Sequence, residues 1–194
     1  MNYNVSITKE EMAILPVETF PGRIVVVEDH NAIRETIAYL SGFDYVGFDT
    51  ETRPNFSKMQ HHKMALIQLA TSERCYLFRL NKLGGIPPQL ENFLKKGNTI
   101  KIGLSLLDDF HNIRKLMIPF NPVTFIDLQK IVPAFGIKEA SLQKIYAILF
   151  GKKISKRMRL SNWENNELTE AQKQYAALDA WACLKIYQHL YPSK

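Results

Sequence analysis

Hydrophobic positions along this chain repeat every second residue in some stretches and every third or fourth in others, and the two spacings interleave. The first helical spacing is short and N-terminal, with Thr8 and Glu11 placed as a capping box. A strand is predicted at Arg23 to Val27, then a helix from about Asn31 to Leu40 that stops at Gly42, where a glycine terminator belongs. A strand of roughly Asp44 to Glu51 follows. Met64 to Ala70 and Cys75 to Leu80 read as two more strands, and the short polar Thr71-Ser72-Glu73-Arg74 between them predicts an antiparallel hairpin. The pattern continues with a helix at Gln89 to Lys96, a strand at Thr99 to Leu104, a helix at Leu107 to Met117 and a strand at Val123 to Leu128. Beyond that point it is helical, with Leu142 to Phe150 and a long final helix from about Glu170 to Leu190, opened by Thr169 and Gln172 at capping-box spacing.

This order predicts an α/β fold, a mixed sheet with an antiparallel three-strand edge and helices packed on its faces. No internal repeat or linker divides the 194 residues, so one domain is expected over 1–194. At 46% hydrophobic and 23% charged residues, the composition is that of an ordinary globular protein. The N-terminus lacks the basic start and apolar run of a secretory signal, and no apolar stretch approaches the roughly 20 residues needed to span a bilayer. An intracellular, cytoplasmic chain with no membrane partner is the expectation. Cys75 and Cys183 belong to no Cys/His cluster suited to zinc and read as buried small hydrophobes.

Charge changes the picture more than composition does. The formal net charge is +6, and Lys152, Lys153, Lys156, Arg157 and Arg159 put five cations into the eight residues from 152 to 159. Such density suits contacts to nucleic-acid phosphates, although a charge run taken alone is also an ordinary solvated loop. The acids are placed differently. In Val46-Gly47-Phe48-Asp49-Thr50-Glu51 the strand period sends Asp49 and Glu51 to the same face. Two carboxylates side by side repel unless a cation neutralises them, and a hard divalent ion does so. In the final helix Tyr175 and Asp179 are four apart and share a face. Taken alone, each motif reads more readily as a solvated strand end or an ordinary amphipathic helix.

Taken in order, Phe48-Asp49-Thr50-Glu51, Ala65-Leu66-Ile67-Gln68-Leu69, Gly103 with Asp109 six residues on, and Tyr175-Ala-Ala-Leu-Asp179 resemble the DEDD exonuclease superfamily, tyrosine subclass. The likeness is closest to the Werner-syndrome-type exonuclease domain and more distant to ribonuclease D and the proofreading domain of DNA polymerase I. It covers about Arg23 to Tyr191, including Ser161-Asn162-Trp163-Glu164 and Leu168-Thr169.

The resemblance implies a ribonuclease H-like fold and a 3′-to-5′ exonuclease releasing 5′-mononucleotides. Asp49, Glu51, Asp109 and Asp179 would hold two divalent cations, Mg²⁺ or Mn²⁺, with Tyr175 orienting the attacking water. Family spacing from Gly103 selects Asp109, leaving its neighbour Asp108 as a helix-start acid favoured by the macrodipole. Asp127 is expected to act as a capping or supporting acid, and Trp163 as a packing anchor. Leu66 is expected to wedge against the terminal base. His111 stands where the family often has an aromatic residue. Lys152, Lys153, Lys156 and Arg157 are expected along the path of a single strand or the 3′ end of a duplex. His61 and His62 are expected to be exposed and to contact the strand. Relatives act on DNA and on RNA. An unwinding helicase, where one is needed, would be a separate chain. The competing reading is a catalytically silent exonuclease-like module that binds single strands or serves as a scaffold.

Overall fold

The computed structural model describes residues 3–57 and 59–192. Its first element, α1 (Lys9–Ala13), opens on the Thr8/Glu11 capping box. Six strands follow: β1 (Arg23–Val27), β2 (Tyr45–Thr52), β3 (Met64–Ala70), β4 (Arg74–Arg79), β5 (Ile100–Gly103) and β6 (Phe125–Asp127). Between and after them come α2 (Asn31–Leu40), α3 (Leu80–Leu83), α4 (Pro88–Lys95), α5 (Leu107–Leu116), α6 (Leu128–Ile131), a 3₁₀ turn at Val132–Phe135, α7 (Leu142–Phe150) and α8 (Glu170–Leu190). None of the described helices is long and apolar enough to cross a membrane.

The strands form one sheet in the order β1-β4-β3-β2-β5-β6. β3 runs antiparallel to β2 and β4, while β1 pairs parallel with β4, β5 with β2 and β6 with β5. The expected mixed sheet with an antiparallel trio is therefore present, but the trio is interior and β1 covers its outer side. A parallel neighbour reached through a crossover leaves no local mark in sequence, whereas a hairpin does. Gly42 also differs from its expected role. It is not among the left-handed glycines, and α2 ends instead with Ser41 donating through both its amide and its hydroxyl to the Ile37 carbonyl, at 2.9 and 2.7 Å.

Each face of the sheet covers a core. On one side Leu66, Leu77 and Ile102 pack beneath α7 and α8, and on the other Val46, Phe48, Ile67 and Phe78 pack with residues of α2, α4 and α5. Cys75 and Cys183 are both buried, as expected. The fit of α8 to β2 is closest at Gly47, where an added Cβ would lie 1.9 Å from the Ala180 carbonyl oxygen. Only a residue without a side chain lets helix and strand backbones meet there. Two residues further along β2 is Asp49, and one residue before Ala180 is Asp179.

Candidate active site

Asp49 and Glu51 leave β2 on the side covered by α8, and Asp179 meets them from the helix. The three carboxylates each bring an oxygen to within 4.8 Å of the others, with Glu51 and Asp179 buried and Asp49 half-buried. No lysine or arginine lies within salt-bridge distance of this trio among the described residues. Asp179 Oδ1 is buried without a hydrogen-bond partner. An acceptor in that state carries its full desolvation cost unless something positive meets it.

The electrostatics follow from that crowding. Burial first, then Glu51, Asp179 and Asp109, hold the Asp49 carboxyl well above the usual carboxylate range. Glu51 is pushed up to about 9 by burial and by Asp179 and Asp109, with Arg159 opposing. Asp179 is raised to about 7 by burial, against the Tyr175 hydroxyl one helical turn back and the Lys156 ammonium. The Tyr175 phenol is itself pushed up by burial and by the acids around it, so it is a neutral hydroxyl.

Asp109 stands at the start of α5, half-buried, and accepts a hydrogen bond from the Thr50 hydroxyl on β2. Burial lifts it to about 6, against that hydrogen bond. Its neighbour Asp108 is exposed. Asp109 is one step outside the compact trio, yet it contributes to the raised pKa of both Asp49 and Glu51. The turn that delivers it is held by Asp127, whose carboxylate accepts from the Ser105 and Leu106 amides at 2.8 and 3.1 Å and caps α6 through the Gln129 amide at 3.0 Å.

The cations divide into two groups. Lys156 and Arg159 line a cleft of about 270 Å³ together with Asp49 and Asp179. Arg157 faces a neighbouring hollow bordered by Tyr175. Lys152 and Lys153 are engaged elsewhere: Lys152 pairs with Glu18 at 3.0 Å, and Lys153 donates to the Ala13 carbonyl. Both side chains thereby take part in holding the loop to the chain ahead of β1. Arg159, counted in the basic run but not singled out, belongs to the cleft, and its signal was its position in that run just ahead of the active-site helix.

Leu66 is fully buried in the core beside Glu51 on the paired strand, where it supports β2 and offers no surface to a base. His111 is exposed on α5, two residues past Asp109 and so on another side of the helix. The structure does not bring it to the acids. His62, expected to be exposed, bonds Glu164 through Nδ1 at 3.0 Å, and Arg53 reaches the same carboxylate at 3.3 Å. These contacts tie the loop after Glu51 to the loop before α8. The buried Arg79 holds that second loop by donating to the carbonyls of Asn165 and Asn166. Trp163 is fully buried with its ring 6.0 Å from that of Tyr175, a packing anchor as expected.

Residues 24–193 match a family model described as 3′-5′ exonuclease. The bifunctional 3′-5′ exonuclease/ATP-dependent helicase WRN of Mus musculus is 35% identical over 187 residues, covering 91% of this chain and 13% of that protein. A 3′-5′ exonuclease of Arabidopsis thaliana is 32% identical over 158 residues, 77% of this chain and 54% of that protein. The chain thus spans about half or less of the length of these relatives. Among solved structures, Escherichia coli RNase D, an exoribonuclease involved in structured RNA processing, superposes with a TM-score of 0.75 at 23% identity, covering 87% of this chain and 44% of that one. The shared fold is the ribonuclease H-like one, with divalent metals characteristic of the family.

Proposed function

Because the chain belongs to the 3′-5′ exonuclease family, we propose that it hydrolyses the last phosphodiester bond at the 3′ end of a nucleic-acid strand and releases 5′-mononucleotides. The observation that carries the proposal is the convergence of three carboxylates on one buried point, with Asp179 Oδ1 lacking any partner. That donor set fits a hard divalent cation, which takes carboxylate oxygens and removes the mutual repulsion. Asp49, Glu51 and Asp179 would hold the cations, with Asp109 as the fourth ligand. Two such ions, Mg²⁺ or Mn²⁺, would supply activated water and charge stabilisation at the leaving oxygen.

The chain's own groups do the rest. Tyr175, neutral and adjacent to Asp179, orients the attacking water by hydrogen bonding. Lys156 and Arg159, which line the same cleft, meet the non-bridging phosphate oxygens. As the water oxygen bonds to phosphorus and gives up a proton to solvent, the bond from phosphorus to the 3′ oxygen breaks and that oxygen takes up a proton from solvent. One mononucleotide leaves, and the shortened strand ends in a new 3′ hydroxyl. Where the substrate end is paired, a helicase would act alongside as a separate activity. The full acid set gives nothing to favour the silent-module alternative.

The test uses matched DNA and RNA strands labelled at the 5′ end, incubated with Mg²⁺ or Mn²⁺ or with chelator. Stepwise shortening with either metal, and none with chelator, is expected. Cleavage of a circular single strand, which has no 3′ end, would exclude the assignment.

A further inference from the structure

The family match begins at residue 24, yet residues ahead of it are joined to the loop that carries Lys156 and Arg159. Val17 pairs with Lys153 in a parallel bridge, in which Lys153 donates its amide to the Pro16 carbonyl and receives the Glu18 amide, both at 2.9 Å. The Lys153 ammonium reaches back to the Ala13 carbonyl. Glu18 is only 8% exposed. Its carboxylate accepts from the Tyr146 hydroxyl at 2.7 Å and from the ammonium groups of Lys152 at 3.0 Å and Lys185 at 3.3 Å. One end of the basic loop is thereby fixed to α7 and α8 through a single acid.

The other end is fixed separately. Gln172 on α8 donates to the Ser161 hydroxyl at 3.2 Å and to the Asn162 carbonyl at 3.1 Å. Between these two attachments residues 154–160 form no helix or strand. Lys156, Arg157 and Arg159 form no salt bridge among the described residues. Lys156 and Arg159 line the cleft that holds Asp49 and Asp179.

We propose that the segment from Thr8 to Phe20 is a strap that aims Lys156 and Arg159 into the cleft, with Glu18 as its positioning residue. The proposal rests on the exonuclease reading of the cleft and extends it to a part of the chain outside the family match. An irregular loop carrying long, flexible cations samples many arrangements, and fixing its first residues removes most of them before substrate arrives. Glu18 touches neither the acids nor the cleft. Its effect passes through Lys152 and the backbone at Lys153.

The experiment compares the full chain with Glu18→Gln, Lys153→Met and the pair Lys156→Ala/Arg159→Ala, singly and combined. Initial rates on a labelled single strand with Mn²⁺ give kcat/KM, and amide deuterium exchange reads the order of residues 154–160. Glu18→Gln is expected to lower kcat/KM about tenfold, the scale of a lost charged hydrogen bond. It should also speed exchange at 154–160, and it should add nothing once Lys156 and Arg159 are already alanine. Should Glu18→Gln fail to fold, Lys153→Met, which leaves the buried acid intact, carries the same comparison. Unchanged exchange, or losses that multiply across the combined variants, overturns the strap. A wild-type chain that leaves every strand intact with either metal instead sinks the exonuclease reading, and the exchange result still decides the strap.

Discussion

Replacing Asp179 by Asn should make the metal-free protein more stable while abolishing its activity. Asn keeps the shape of the side chain and can donate to the carboxylates of Asp49 and Glu51 while still accepting from Tyr175. What disappears is the cost of a buried charge among other acids. In the folded chain Asp179 is raised from 3.8 to about 7, chiefly by burial. A rise of that size corresponds to about 4 kcal/mol. An acid whose folded pKa is raised holds its proton more tightly folded than unfolded, so its contribution is intact below pH 3.8 and lost as pH climbs to about 7. Coupling to Glu51 shares that penalty between groups, and about 2–4 kcal/mol is expected from the one substitution. For a chain of this size the gain amounts to a melting midpoint about 5–12 °C higher. Thermal unfolding followed by circular dichroism in chelator, at pH 4.5 and pH 8, reads it directly. The gap between the two proteins should be small at pH 4.5, about a quarter of its full size, and fully open at pH 8. Added Mg²⁺ or Mn²⁺ should raise the wild-type midpoint far more than the variant's. An Asp179→Asn variant that melts at or below wild type at pH 8, or a gap independent of pH, would refute the argument from acid crowding.

Three further outcomes are expected. Asp109→Asn should lose activity by at least about a hundredfold and Asp108→Asn by less than about threefold, since only Asp109 is turned toward β2; equal losses in the strand-shortening assay would place the wrong acid at the site. Gly47→Ala should cost at least about 2 kcal/mol in urea unfolding and most of the activity, because its methyl group would collide with the Ala180 carbonyl and push α8 off β2; a variant with normal stability and rate would disprove the close approach. Lys101, wholly buried and lowered by burial from 10.5 to about 8, should be replaceable by Met with a gain in stability. Wild type recovers its deficit as pH rises from about 8 toward 10.5, so the advantage of Met, up to about 3 kcal/mol at pH 7, should shrink by pH 10 in urea titrations; an advantage unchanged with pH would remove the buried charge as its cause.

Local rules carried much of the fold. The two capping boxes fall at Thr8 and Thr169, and α2, α7, α8 and β3 have the predicted bounds, because periodicity and caps are written within a few residues of one another. The short helices α3 and α6 went unread, being single turns with too little sequence to show a period. The acids at 49, 51 and 179 were legible because alternation, helical spacing and family resemblance pointed to the same side chains. The cations were not separable in the same way. Lys152 and Lys156 look alike in a basic run, and only the folded chain shows that one meets Glu18, far away in sequence, while the other lines the cleft. Leu66 illustrates the converse: the motif located it correctly on the strand beside Glu51, but burial beneath α7 and α8 removes it from any base.

The seating of α8 on Gly47 also fixes when in the chain's own synthesis the acid cluster can close. Asp49 and Glu51 emerge early, but Tyr175 and Asp179 belong to a helix that runs to Leu190. Until the ribosome has added those residues and the helix has settled against the sheet, a growing chain has three of the four acids and nothing to complete the set. In a growing chain the cluster is therefore completed last, by the order in which the polypeptide is made.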